Sequence, residues 1–130
     1  MTTNKPKNTD QDLLELAAKA VGYSIWQWER DGSALISDPT IRWNPLEDDG
    51  DALRLAVKLD MIIDIDTGEC ATSVDYTTLL GDFVLCEGHR FDPYAATRRA
   101  IVRAAAEMGR DKPWPTQPNG QSSFFWRAAQ

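Results

Sequence analysis

The densest run of groups able to do chemistry lies between Asp64 and Glu69, where acids surround an Asp66-Thr67-Gly68 tripeptide preceded by apolar Ile62, Ile63 and Ile65. In a homodimer that tripeptide would bring two carboxylates together to share one proton, the arrangement by which aspartic hydrolases activate water. Glu69 stands where such a site wants a small residue, and Asp64 and Asp75 add charge to a dyad that must be isolated. A β-turn accounts for Asp-Thr-Gly without catalysis. Neither Asp64, Asp66 and Glu69 nor Asp48, Asp49 and Asp51 have the oxygen spacing and glycine of a calcium loop. Helix capping explains the second group, and no metal or cofactor is expected. The one histidine, His89, excludes sites that need two, has no serine or cysteine in nucleophile context, and reads as a loop residue. No phosphate-binding glycine-rich loop or dinucleotide fingerprint occurs.

Arg98, Arg99, Arg103, Arg110 and Lys112, with Trp114 nearby, are the nearest approach to an anion-binding surface, with Trp114 available to stack on a base. The competing explanation is a solvated helix face on which Glu107 partners Arg103. Trp26 and Trp28 read as sheet packing, whereas Trp43 and Trp114 sit in loops near proline. Because Trp and Arg dominate interface energetics, the candidate ligand- or partner-binding set is Trp43, Asn44, Arg98, Arg99, Arg103 and Trp114.

These residues must be positioned by a short list of elements. After a polar, frayed segment at residues 1–8, a helix begins at Thr9 or Asp10, carries Leu13, Leu14, Ala17, Ala20 and Val21 on one side, and stops at Gly22. Tyr23 to Glu29 reads as a strand with Trp26 and Trp28 on one face, Asp31-Gly32 as a turn, and Ala34 to Ser37 as the returning strand, ended by Asp38-Pro39. A second helix is capped by Asp48 or Asp49 and buries Ala52, Leu55, Ala56 and Leu59. Met61 to Asp66, Ala71 to Asp75 and Asp82 to Cys86 alternate as strands, and Tyr76 to Leu80 is ambiguous. The third helix has Asp92 as N-cap, Pro93 at its first position, Ile101, Ala104, Ala105 and Met108 as its buried stripe, and Gly109 just past its end. Lys112 to Gly120 is too proline-rich for regular structure, and Ser122 to Trp126 is an apolar tail expected to pack back.

Composition bounds the rest. The chain has 130 residues, 42% of them hydrophobic, enough for one core and too few for two ordinary domains. Residues 9–130 are therefore expected to form a single α+β domain that includes the Pro/Trp-rich tail. No long apolar run or signal segment is present, so a cytoplasmic protein with no membrane partner is expected. Cys70 and Cys86, 16 positions apart, suit two buried free thiols better than a disulfide or zinc site. The net charge of -6 is uneven: residues 29–75 carry 12 acids against 4 bases, and residues 82–130 carry 5 acids against 7 bases. Nucleic acid is an unfavoured partner, since displacing phosphate counterions needs clustered Lys and Arg, while a basic partner remains open.

The text from Trp43 to Leu59, Trp-Asn-Pro-Leu-Glu-Asp-Asp-Gly-Asp-Ala-Leu-Arg-Leu-Ala-Val-Lys-Leu, followed by Ala-Thr-Arg-Arg-Ala-Ile-Val-Arg-Ala-Ala-Ala from Ala96 to Ala106, resembles the phage ABA sandwich domain family of tailed phages and prophages. The likeness spans about Leu13 to Gly109 and leaves out the Pro113-Trp114-Pro115 segment and Phe124-Phe125-Trp126. It implies an α-β-α layered fold and leaves function open. The independent expectation agrees: a small α-β-α sandwich with a mainly antiparallel sheet of four to five short strands and three helices. With no catalytic set, the favoured function is that of a non-catalytic phage accessory protein, active in the host cytoplasm. It would bind a host or phage protein, with inhibition of a host defence as one such role and a homodimer compatible with its exposed Trp residues. The alternatives are a small anionic ligand or nucleotide binder using the Arg98 to Trp114 region, and a homodimeric aspartic or metal-dependent hydrolase.

Overall fold

The computed structural model describes residues 9–36, 41–110 and 112; the expectations for residues 1–8, Asp38-Pro39, Trp114 and the apolar tail fall outside them. Among the described residues there are three helices and six strands, an α+β fold. Helix α1 (Asp10–Val21) is opened by the Thr9 hydroxyl, which accepts from the Asp12 N–H, and closed by Gly22 in the left-handed conformation (φ 82°). Strands β1 (Ile25–Trp28), β2 (Ala34–Ile36) and β3 (Ile41–Trp43) form an antiparallel sheet in that order. At its first hairpin the Asp31 carboxylate accepts the Ser33 N–H at 2.9 Å, which holds its pKa below the ordinary value. Helix α2 (Asp49–Lys58) takes Asp48 as N-cap. Strands β4 (Ile62–Asp66), β5 (Ala71–Thr78) and β6 (Gly81–Gly88) make a second antiparallel sheet, and α3 (Pro93–Gly109) follows.

Two sheets of three strands replace the expected single sheet of four to five. The ambiguous segment resolves because β5 runs on to Thr78 and pairs it with Gly81, leaving Leu79 and Leu80 as an exposed two-residue tip. The register of β1 shifts between Ile25 and Gln27, a bulge at Trp26 that breaks the expected shared face. Only Trp28 of the pair packs against the core.

The element with most buried residues is a helix. α3 packs against α1, α2, β5 and β6, and Ala100, Val102, Ala104, Ala105 and Ala106 have no solvent exposure. Its small side chains let α1 approach closely. At Gly109 a Cβ would lie 2.0 Å from the Leu16 carbonyl oxygen, so the glycine expected to stop the helix is instead its last residue and the contact point with α1. The opposite face of the second sheet is open: Ile62, Asp64, Asp66, Asp75, Thr77, Asp82, Val84 and Cys86 all point to solvent. Both cysteines are exposed, against the expectation of buried thiols. For Cys86 strand alternation is the cause, since Phe83, Leu85 and Glu87 take the helix-facing side of β6, while Cys70 lies in the turn between β4 and β5.

Candidate functional site

The β4 edge of the second sheet extends past the cover that α3 provides. On the helix-facing side of β4, Ile63 and Ile65 look toward α2 across a cleft of about 460 Å³, lined also by Asp49, Ala52, Leu53, Thr67, Pro93, Tyr94, Thr97, Arg98 and Ile101. Ala52 and Ile101 are buried in its floor, whereas Leu53 is 61%, Ile65 53% and Tyr94 71% exposed on its rims. Apolar surface left in water at three converging elements costs free energy in proportion to its area, about 25 cal/mol per Å², and covering it with another apolar group recovers that cost.

Local sequence sets the cleft walls. α2 buries Ala52, Leu55 and Ala56, yet Leu53 and Val57 form a second apolar pair one turn apart on its outer side. One end is fastened by Arg98, whose Nε donates to the Leu46 carbonyl at 2.8 Å and whose Nη1 meets Asp49 at 2.6 Å. With its side chain only 15% exposed, Arg98 anchors the start of α2 to α3.

Beneath the floor runs a hydroxyl relay. The fully buried Thr72 Oγ1 lies 2.8 Å from His89 Nε2 and 2.8 Å from Thr97 Oγ1. His89 stands in the connection between β6 and α3, a loop as expected, and is buried there. The pairing superficially suggests a hydroxyl nucleophile and its base, but Thr72 is closed to any substrate and its hydroxyl also serves Thr97. Its role is to tie β5, the residue after β6 and α3 together. On the other side of this relay a second cleft, about 440 Å³, is lined by His89, Phe91, Asp92, Ala96 and Arg99 among others.

The candidate binding residues separate in space. Trp43, at the end of β3, is 4% exposed and stands edge-on to Tyr23, 5.6 Å between ring centroids. Asn44 is buried beside it, its Oδ1 accepting the Leu46 N–H at 3.2 Å. Both belong to the interior, because Trp43 pairs with Ala34 in the sheet instead of standing in a loop. Arg98, Arg99 and Arg103 share α3 but reach three different acids: Asp49 on α2, Asp10 on α1 at 2.8 Å, and Glu87 on β6. Arg103 thus leaves Glu107 to Arg110. An anion would have to displace these carboxylates, and only Arg98 belongs to the apolar cleft. Trp114 lies outside the described residues.

The Asp66 carboxylate accepts the Glu69 N–H at 3.0 Å, so Asp-Thr-Gly acts as the turn between β4 and β5. No cluster of three or more metal-ligating side chains occurs among the described residues. No helix there is long and apolar enough to cross a membrane. The excess of apolar residues over one buried face, at Leu53 and Val57 and on both faces of β4, was the signal in the sequence for the cleft. Compared with models of known protein families and with characterised proteins, the chain matches none.

Proposed function

We propose that the protein is a bacteriophage accessory protein that acts without catalysis, in the host cytoplasm, by binding a macromolecule of the host or the phage, and that the cleft between α2, β4 and α3 is its contact site. The observation that carries the contact site is the exposed apolar rim of Leu53, Ile65 and Tyr94 around a buried floor. Interfaces concentrate their energy in such pockets, where an aromatic or aliphatic anchor from the partner excludes water. The phage assignment rests on the resemblance of the two helix texts. Blocking a host defence factor is one role open to such a protein. The individually paired arginines of α3 favour this reading over a nucleotide site.

The test is affinity capture from a bacterial lysate with the tagged chain and a Leu53→Asn/Ile65→Asn variant. Both substitutions fall at exposed positions, so the fold should persist. A protein retained by the native chain and lost from the variant is the expected result. Equal retention by both would move the contact elsewhere, and no specific retention would reject the binding role.

A further inference from the structure

Resting on that reading of the cleft, the charge around it defines the occupant: we infer that the cleft takes a basic amphipathic segment of a partner protein, with an apolar stripe in the groove and Lys or Arg along its flanks. Residues 47–70, which supply α2, β4 and the turn after it, hold eight carboxylates and two basic side chains. Both bases are engaged within the fold. Arg54 meets Asp51 at 2.7 Å and Asp48 at 3.9 Å, and Lys58 lies 5.3 Å from the Tyr23 ring centroid. Arg98, across the cleft, is committed to Asp49. Glu47, Asp60, Asp64, Asp66 and Glu69 carry no ion pair among the described residues.

For Asp64, Asp66 and Glu69 the strand and its turn fix the placement. Asp64 and Asp66 alternate with Ile63 and Ile65 along β4, and Glu69 follows Thr67 in the turn. Asp64 and Asp66 thus stand on the open face of the edge strand, across its thickness from the apolar rim, and act on a partner through the field at the sheet edge and not as lining groups of the cleft. An apolar groove in such a field selects by sign: an acidic or neutral amphipathic segment gains the same burial but meets repulsion or no attraction, whereas a basic one is steered in. Groove binding by an amphipathic helix needs apolar anchors spaced one turn apart, which suits a cleft whose wall is itself a helix.

The test uses a fluorescein-labelled amphipathic peptide of Lys and Leu, and its counterpart with every Lys replaced by Glu, titrated with the full chain and followed by anisotropy. The Lys/Leu peptide should bind at least about tenfold more tightly than the Glu/Leu peptide, and more weakly as salt rises from ~10 to ~150 mM. Leu53→Asn/Ile65→Asn and Asp64→Lys/Glu69→Lys should each weaken it about tenfold, with circular dichroism melts confirming that both variants fold. Equal binding of the two peptides, lost in the Leu53/Ile65 variant, would overturn the basic partner and leave the cleft standing. Binding of neither peptide, or Lys/Leu binding indifferent to Leu53→Asn/Ile65→Asn, would overturn the cleft itself.

Discussion

Thr72 is where the polar contacts of the interior converge, and its single hydroxyl serves two neighbours. Replacing it by valine keeps the shape and removes the oxygen, leaving His89 Nε2 and the Thr97 hydroxyl with an apolar wall. A buried polar group deprived of its partner costs about 1–3 kcal/mol, so Thr72→Val should lower stability by that order in a urea titration, and Thr72→Ser should restore most of it. No buried side-chain nitrogen or oxygen lacks a hydrogen bond among the described residues, which makes such a lesion legible against a satisfied background. Tyr76 offers a pH-dependent counterpart. Burial, with the Glu107 carboxylate adding to it, pushes its phenol above the ordinary value of 10.0. The neutral phenol is the form the fold favours, so its contribution is complete below about pH 10 and is lost as pH rises through the higher folded value. Absorbance at 295 nm should show one phenolate appearing late in the native chain, and a Tyr76→Phe variant should lack that step.

Among the elements, the crossing of α1 and α3 is the least forgiving contact. Gly109→Ala would gain up to about 1 kcal/mol of helix propensity. Against it stands a methyl group only 2.0 Å from the Leu16 carbonyl, a backbone atom that cannot rotate away. Overpacking of this kind costs about 1–3 kcal/mol, and the helices must separate to accommodate it, so the net expectation is a lower melting temperature. Elements of this sort were partly readable in advance. Caps and periodicity gave all three helices, because Thr9, Asp48 and Asp92 each satisfy N–H groups within three residues. The alternation of Ile62 to Asp66 gave β4 for the same local reason. β3 was missed: it is three residues long, too short for its alternation to signal a strand, and exists through pairing with β2 five to nine positions earlier. The ion pairs of Arg98, Arg99 and Arg103 were missed likewise, their partners lying 49, 89 and 16 positions away. Of the described members of the candidate binding set only Arg98 reaches the cleft, whose rims came from apolar residues surplus to the core.

At the scale of the whole molecule, charge and packing are distributed differently. The acids concentrate on α2, β4 and the open face of the second sheet, where Asp64, Asp66, Asp75 and Asp82 point outward and discourage stacking of that face on another. Packing concentrates on α3. Native-state hydrogen exchange should therefore find the slowest amides between Ala100 and Ala106, at the free energy of global unfolding. The three- and four-residue strands of the first sheet should open at lower cost. Uniform protection across both regions would contradict that ordering. The central helix is also the last described element to be synthesised. α1, α2 and the second sheet leave the ribosome with their apolar faces turned toward a partner that does not yet exist, so the nascent chain up to residue 92 lacks the core these elements share with α3. Completion waits for Gly109 to emerge, which makes the order of translation, and any holdase that shields Leu13, Leu14, Leu55 and Val74 meanwhile, part of how this protein reaches its structure.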